Sequence, residues 1–126
     1  MKEKLKIVKI GGNVINDPAY LQVFLQDFAS LKGLKILVHG GGTKATELSE
    51  SLGIKTKMIN GRRITDEAGL DVVTMVYAGL LNKKIVAGLQ KYNCDAIGLS
   101  GADGNSIKAH KRAVKEVDYG FAGDVD

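Results

Sequence analysis

Two short apolar segments near the start of the chain each end at a run of glycines, and this repeated pattern constrains the fold most. LKIVKI, residues 5–10, precedes the glycines at 11–12, and KILVH, residues 35–39, precedes three glycines at 40–42. Short apolar runs rich in β-branched residues are typical of buried parallel strands. Helical patterns follow both loops, so we predict an α/β fold with a parallel sheet.

Helix signals separate and follow these two strands. Asp17 and Pro18 fit an N-cap and first helical position, and the helical pattern after them stops at Gly33. A second helical pattern covers residues 43–52 and stops at Gly53. Strand, helix, strand, helix is the order expected for parallel strands joined by crossover helices.

Further strand signals follow in the second half of the chain. Residues 54–65 alternate around Asn60 and Gly61, a pair that predicts a hairpin turn. We expect AIGLS, residues 96–100, to be a third buried strand and SIKAHK, residues 106–111, to be a more exposed one.

A long helix is predicted between the hairpin and the third strand. It begins near Asp66, whose carboxylate suits the positive end of the helix dipole, and keeps its helical period to about Tyr92. Its internal glycines, Gly69, Gly79 and Gly88, each cost on the order of 1 kcal/mol relative to alanine. We therefore expect the sheet or a second subunit to pack closely against it.

Composition narrows the class of protein. With 126 residues, 44% hydrophobic and 25% charged, residues 1–126 are expected to form a single domain. The 18 basic residues are scattered among 14 acidic ones, which argues against a nucleic-acid partner. Cys94 has no internal disulfide partner, Lys6 and Lys9 interrupt the first apolar segment, and no uninterrupted apolar run approaches a membrane span. We expect a reduced, cytoplasmic protein without a membrane partner.

Three interpretations compete for the sequence HGGG at 39–42. Gly40, Gly42 and Ala45 fit a dinucleotide fingerprint, which also needs an acidic residue near position 60 to bind a ribose. The sequence has arginines there, and because arginines can bind the 2′-phosphate of NADP, an NADP-binding Rossmann-type domain is kept as an alternative. A lipase-type oxyanion hole also uses this sequence, yet GLSGA around Ser100 lacks the last glycine of the nucleophile motif.

The third interpretation takes both glycine loops together. Parallel strands present their carboxyl ends on one edge, so the loops at 11–12 and 40–42 should line one crevice, where backbone N–H groups form an anion cradle. Lys9 lies on the same side of its strand as Leu5 and Ile7, and a lysine on an apolar face needs an anionic partner.

Simpler explanations remain open for single residues. Gly11 and Gly12 fit an ordinary tight turn, and Lys9 fits a lysine that extends from a strand end to solvent. His39 is expected to be packed or hydrogen-bonded rather than to bind a metal, because no second ligand-type residue stands at metal-site spacing.

Four motifs are spread over essentially the whole chain: KIGGN at 9–13, VHGGG at 38–42, NGRRIT at 60–65 and GLSGADG at 98–104. In order and spacing they resemble the amino-acid kinase superfamily, and within it the N-acetylglutamate kinase branch. The resemblance implies the N-terminal portion of the carbamate kinase-like fold, a three-layer α/β/α sandwich around a mainly parallel sheet. It also implies transfer of a phosphoryl group from ATP with Mg²⁺ to the side-chain carboxylate of an N-acylglutamate, a step of arginine biosynthesis.

The resemblance assigns roles to matching residues. Lys9 would bind the transferring phosphoryl group and stabilise the transition state, with Gly11 and Gly12 donating N–H groups to the ATP phosphates. Gly41 and Gly42 would let the chain approach the acylglutamate closely. The acceptor carboxylate is already ionised at neutral pH, so positioning and charge stabilisation suffice without a general base.

Expectations also follow for three other motif residues. Arg63 matches the family arginine that binds a substrate carboxylate, for which a planar two-donor fork is well shaped. Arg62 falls at a variable position and is expected to be solvated. Asp103 is expected to structure its own loop, because Asp-Gly is a turn signal.

Enzymes that this chain resembles are considerably longer, and their second half binds the nucleotide. We therefore expect residues 1–126 to be the N-terminal, acylglutamate-binding half, inactive on its own. In relatives the helix at 66–92 forms a homodimer contact, which we expect here too. Acetyl is the expected acyl group, while succinyl stays open, and a non-catalytic acylglutamate-binding or regulatory module is the alternative function.

Overall fold

The computed structural model describes residues 3–126. Its first half alternates strands and helices, in the order β1 (Lys6–Ile10), α1 (Gly12–Asn16), α2 (Pro18–Ser30), β2 (Lys35–His39) and α3 (Lys44–Ser51). Its second half begins with an antiparallel strand pair, β3 (Lys57–Ile59) and β4 (Arg62–Ile64). One long helix follows in three parts: α4 (Glu67–Val73), a π-helical segment (Thr74–Leu81) and α5 (Asn82–Gln90). A 3₁₀ turn (Asp103–Asn105) then precedes a second antiparallel pair, β5 (Ala109–Lys111) and β6 (Gly123–Val125).

Strands β1 and β2 pair in parallel and end together. Lys9 is opposite Val38, and Ile10 is opposite His39. This pair confirms the predicted α/β class with parallel strands. Because the last residues of the two strands are partners, both glycine loops leave the same edge of the sheet.

One hydrophobic core lies between this sheet and the helices. Val8 and Leu37 pack against this core from the two strands. The buried core side chains are Ile10 of β1 and, from the helices, Ile15, Leu25, Phe28, Ala45, Val72, Val76, Leu81, Ile85 and Leu89. Burying one such large aliphatic side chain contributes roughly 1.5–3 kcal/mol. The helices therefore cover one face of the sheet.

The other face of the sheet carries apolar side chains that no part of residues 3–126 covers. Ile7 is 65% exposed, Ile36 47% and Val38 45%. A sheet normally buries its apolar face against another layer. The described chain thus supplies two of the three layers of the expected sandwich, one of helices and one of strands.

The predicted hairpin is confirmed. β3 and β4 pair antiparallel with Met58 opposite Arg63. The turn residues Asn60 and Gly61 have φ values of 50° and 73°. Positive φ at both central positions is what a two-residue type I′ hairpin turn requires.

The long helix begins as predicted, because Asp66 caps α4 by accepting a 2.8 Å hydrogen bond from the N–H of Gly69. Gly88 is closely packed as expected, but against a helix rather than the sheet or a second subunit, since a Cβ there would lie 2.6 Å from Cδ1 of Leu25 on α2. Gly79 has no comparably close neighbour among residues 3–126. The π-helical segment in the middle was not predicted, because a periodic apolar pattern does not reveal one extra residue per turn.

The helix Glu67–Gln90 is long and apolar enough to cross a membrane by length and composition alone. Its side chains Val72, Val76 and Ile85 are instead buried in the core of the domain. Core helices pass the same test of length and composition, so the feature does not indicate a membrane span.

The prediction of a buried strand at 96–100 is wrong. The segment forms no strand in the structure, and Ile97 is 87% exposed and Leu99 58% exposed. No neighbouring strand within residues 3–126 pairs with its backbone; the carbonyl of Gly98 instead accepts a hydrogen bond from the Lys83 ammonium. A backbone without a strand partner cannot complete a β-ladder, whatever its composition.

The expected exposed strand at 106–111 is confirmed in part. Only Ala109–Lys111 is extended, and it pairs antiparallel with Gly123–Val125, a strand that was not predicted. The partner segment is short and contains glycine, so its composition does not indicate a strand.

The cap of α2 gives a first test. Asp17 Oδ1 accepts hydrogen bonds from the N–H groups of Ala19 (2.9 Å) and Tyr20 (3.1 Å). We predict that Asp17→Ala lowers the free energy of unfolding by about 1 kcal/mol, as for other lost N-caps. Asp27→Ala removes the same charge from an exposed position of the same helix and should change it little. Equal losses in urea denaturation of the two variants would contradict the capping role.

Asp103 gives a pH-dependent test. Its Oδ2 accepts hydrogen bonds from the N–H (2.6 Å) and hydroxyl (2.8 Å) of Ser100, as expected for a carboxylate that closes its own loop. These bonds hold the pKa of Asp103 below its usual range. A lowered folded-state pKa stabilises the fold above the unfolded-state pKa of about 3.9, and that contribution disappears as the pH falls through the folded-state pKa.

Asp103→Asn should therefore lower Tm at neutral pH, and the difference from wild type should shrink below about pH 4. Asp95→Asn, an exposed aspartate outside the loop, serves as the control. The measurement is Tm by circular dichroism from neutral to acidic pH. A difference that stays constant over this range would show that the Asp103 carboxylate does not stabilise the loop.

Candidate functional site

The two glycine loops lie in contact at the carboxyl edge of the sheet. A Cβ added to Gly12 would lie 3.3 Å from Cα of Gly42. Gly11 precedes α1, a short helix inside the first loop that was not predicted, and Lys44 begins α3 after the second loop. The structure thus brings together the two loops that the sequence placed at one edge.

Gly41 and Gly42 are glycines because their neighbours leave no room for a side chain. A Cβ on Gly41 would overlap the ring of Tyr77, and a Cβ on Gly42 would overlap the side-chain amide of Asn16. Gly42 also has a φ of 54°, a backbone conformation that residues with a side chain rarely adopt. The Asn16 Oδ1 accepts a 3.2 Å hydrogen bond from the N–H of Thr43, so it ties α1 to the second loop.

The backbone N–H groups of these loops have no acceptor within the described chain; Gly11, Gly12 and Gly42 are half-buried, and Gly41 is buried against the Tyr77 ring. Within residues 3–126, no group accepts a hydrogen bond from the backbone N–H of Gly11, Gly12, Gly41 or Gly42. Two adjacent loops with unpaired N–H donors are suited to the oxygen atoms of anionic groups. The arrangement therefore permits the predicted anion cradle.

Lys9 lies at the end of β1 on the uncovered face of the sheet, opposite Val38 and on the same side as Ile7. Its side chain is exposed, and no carboxylate of the described chain forms an ion pair with it. Lys9 is two residues before Gly11, the first residue of the first glycine loop. Its charge is therefore available to a ligand at this edge.

Arg63 reaches α3, the helix that follows the second glycine loop. It donates hydrogen bonds to the hydroxyls of Thr56 (3.1 Å) and Thr46 (2.7 Å), both neutral acceptors, and is half-buried. Arg62 is exposed and lines a separate open cavity, as alternation along β4 predicted. Because the two arginines point to different sides, they do not form the joint 2′-phosphate site that the NADP alternative needs.

Glu47, on α3 just after the second loop, has a carboxyl group with a lowered pKa. The Lys44 ammonium (2.7 Å) and the Thr43 hydroxyl (2.8 Å) both donate to its carboxylate, and they hold the pKa of Glu47 below its usual range. The carboxylate is thus ionised at neutral pH and engaged by donors of its own helix.

His39 is packed and hydrogen-bonded, as predicted. Its Nδ1 lies 2.8 Å from the carbonyl oxygen of Gly40, and its Nε2 lies 3.2 Å from the side-chain nitrogen of Asn82. Among residues 3–126 no group of three or more His, Cys, Asp or Glu side chains could hold a metal ion.

Three residues near the loops were missed from the sequence: Asn16 and Tyr77, which contact the second loop, and Asn82, which contacts His39 just before it. Asn82 could have been noticed as a polar residue at a core position of an apolar helix. Asn16 and Tyr77 had no such signal, because each acts through a contact with a distant glycine.

The sequence is similar to known proteins over nearly its whole length. Residues 4–125 match the model of the Amino acid kinase family. Acetylglutamate kinases from Bacteroides fragilis, Cytophaga hutchinsonii and Methanopyrus kandleri are 59%, 60% and 39% identical over 100%, 98% and 96% of this chain. The aligned region is 48%, 47% and 48% of those proteins, so the chain spans about half the length of the curated relatives it matches.

Solved structures share the fold at lower identity. An N-acetylglutamate synthase from Neisseria gonorrhoeae, complexed with coenzyme A and N-acetyl-glutamate, matches 96% of this chain and 28% of its own with a TM-score of 0.74 at 22% identity. The protein smu.665 from Streptococcus mutans matches 97% of this chain and 49% of its own with a TM-score of 0.70 at 24% identity. The family match extends over nearly the whole sequence and agrees with the four motifs and the observed fold, so the chain belongs to the amino acid kinase family.

Proposed function

We propose that this chain is the N-terminal, acylglutamate-binding half of an acetylglutamate kinase, which phosphorylates the side-chain carboxylate of N-acetylglutamate with ATP in arginine biosynthesis. The contact between the two glycine loops, at the edge of the sheet near Lys9, carries this proposal. The names of relatives that are up to 60% identical support the substrate.

The reaction joins two anions, and the chain offers donors for both. The N–H groups of Gly41 and Gly42 bind the acylglutamate, and Lys9 with Gly11 and Gly12 binds the transferring phosphoryl group. The carboxylate oxygen attacks the γ-phosphorus, the bond from this phosphorus to the bridging oxygen breaks, and ADP leaves. Since the attacking carboxylate carries no proton at neutral pH, positioning and charge stabilisation are the protein's main contributions.

Arg63 binds a carboxylate of the acylglutamate in this proposal. Its guanidinium now donates to two threonine hydroxyls. A carboxylate accepts two parallel hydrogen bonds from a guanidinium and is a stronger acceptor than a hydroxyl. The threonines therefore hold the arginine in place for a ligand without neutralising its charge.

ATP is the phosphoryl donor, and Mg²⁺ accompanies its phosphates. Mg²⁺ prefers oxygen ligands and commonly binds through substrate phosphates with few protein ligands. The remaining nucleotide contacts belong to a second, C-terminal half of the protein.

Two observations support a longer protein. The chain corresponds to about half the length of its curated relatives, and one face of its sheet carries exposed apolar side chains, including Ile7 and Val38. Burying such surface is favourable by roughly 25 cal/mol per Å². A further layer supplied by the rest of the protein would cover it.

The proposed assembly is a cytoplasmic homodimer with no membrane or nucleic-acid partner. Its contact is the long helix, where Met75 and Leu80 are about half exposed and Gly79 leaves room for close approach of another chain. Exposed apolar side chains on one helix are a common feature of dimer contacts.

The central test is ATP-dependent formation of an acyl phosphate by the intact protein, trapped with hydroxylamine. N-acetylglutamate is the expected acceptor, and N-succinylglutamate is assayed beside it to define the acyl group. Lys9→Ala should lower kcat by about 10²–10³-fold, as for other lost transition-state donors. Arg63→Ala should raise KM for the acylglutamate by about 10–100-fold through loss of charge-assisted hydrogen bonds.

Arg62→Ala is the matched control, because it removes the neighbouring arginine on the other side of β4. Its kinetic constants should equal those of wild type. An Arg62 variant as impaired as the Arg63 variant would contradict the assignment. Binding of acylglutamate without any acyl phosphate would show a non-catalytic binding module instead.

A second prediction concerns the isolated chain. Residues 1–126 expressed alone should form no acyl phosphate, because they lack the nucleotide-binding half of the proposed enzyme. The same hydroxylamine assay measures this, with the intact protein as the positive control. Turnover by the isolated chain would refute the proposed division of the site.

A further inference from the structure

We propose that Asn82 is a positioning residue, which sets the direction of the Gly41 N–H by fixing the tautomer of His39; this inference rests on the proposed role of the second glycine loop. Asn82 is the first residue of α5 and is only 7% exposed. Buried polar side chains are retained where their hydrogen bonds are satisfied. The hydrogen bonds of Asn82 connect three separate segments of the chain, at His39, Lys83 and Leu99.

The orientation of the Asn82 amide follows from Lys83. The Lys83 ammonium lies 3.0 Å from Asn82 Oδ1, and an ammonium can only donate hydrogen bonds. The amide oxygen therefore faces Lys83, and the NH₂ group faces the other way. There it lies 3.2 Å from Nε2 of His39 and 3.5 Å from the carbonyl oxygen of Leu99.

The tautomer of His39 follows from the same network. Its Nδ1 lies 2.8 Å from the carbonyl oxygen of Gly40, which can only accept, so Nδ1 carries the proton. Its Nε2 faces the donating NH₂ group of Asn82 and must accept. Both contacts are satisfied together only by the neutral imidazole protonated on Nδ1.

This network reaches the ligand-binding loop through one peptide unit. The carbonyl of Gly40 and the N–H of Gly41 belong to the same planar peptide group and point in opposite directions when it is trans, and the described chain has no cis peptide. The hydrogen bond from His39 to the Gly40 oxygen therefore sets the direction of the Gly41 N–H. Asn82 acts on the loop without touching the ligand.

The other end of the network lies in the GLSGADG motif. A Cβ on Gly98 would overlap Oδ1 of Asn82, and the Gly98 carbonyl accepts a 2.9 Å hydrogen bond from Lys83. The first glycine of that motif is thus required by Asn82. This contact explains a motif position to which the proposed chemistry gives no role.

The test measures tautomer and affinity in the intact protein. Long-range ¹H–¹⁵N spectra of the wild type should show His39 protonated on Nδ1 and not on Nε2. Asn82→Asp replaces the donor with a carboxylate that only accepts, so the ring proton should move from Nδ1 to Nε2 and the hydrogen bond to the Gly40 oxygen should be lost. The Kd for N-acetylglutamate, measured by calorimetry, should rise about five- to tenfold, as expected when a buried hydrogen bond is lost.

Gln26→Glu is the matched control, since it makes the same amide-to-carboxylate change at an exposed position of α2. It should leave both the tautomer and Kd unchanged. A purely structural role of Asn82 predicts a lower Tm with an unchanged His39 tautomer and an unchanged Kd of the folded fraction. That result would overturn the inference.

If the Asn82 variant does not fold, Lys83→Met provides a second test of the same network. Lys83 is exposed, so its replacement should leave the core intact. Loss of the ammonium frees the amide to turn, so the Nδ1–H population should fall and Kd should rise about two- to threefold. Unchanged spectra and Kd would overturn the inference. A wild type that binds N-acetylglutamate with His39 protonated on Nε2 overturns this inference alone, whereas failure of the wild type to bind overturns the proposed function as well.

Discussion

The parallel pairing of β1 with β2 is the constraint on which the rest of the candidate site depends. Its register makes Ile10 and His39 partners, so both strands end at one level and both glycine loops begin there. A shift by one residue would turn every side chain of a strand to the other face, exchanging the core residue Val8 for Lys9. The same pairing thus fixes the core, the position of the lysine and the contact between the loops.

Side chains of the long helix contact the end of β2 and the second glycine loop. Tyr77, in its π-helical segment, contacts Gly41, and Asn82, just after that segment, contacts His39. A π-helical turn shifts the side chains that follow it around the helix axis, and such turns frequently occur at functional sites. The irregular segment therefore lies where one side chain of the helix reaches the second loop and another reaches the strand residue just before it.

Much of the fold could be predicted from local signals. Asp17 and the pair Asn60-Gly61 give strong backbone preferences in their own sequence neighbourhood, and the structure confirms both. The segment 96–100 looks like a strand in composition, but a strand also needs a partner, which no local pattern supplies. The loops and Arg63 were predicted as site residues, whereas Asn16 and Asn82 were missed because their roles arise from contacts across the fold.

The proposed division of the crevice is tested most directly by a crystal structure of the intact protein with N-acetylglutamate and a non-hydrolysable ATP analogue. We predict acylglutamate oxygens within hydrogen-bond distance of the Gly41 or Gly42 N–H, and the terminal phosphate beside Lys9 and the Gly12 N–H. Both ligands should occupy the one crevice between the loops. Acylglutamate bound elsewhere, for example in the open cavity beside Arg62, would contradict it.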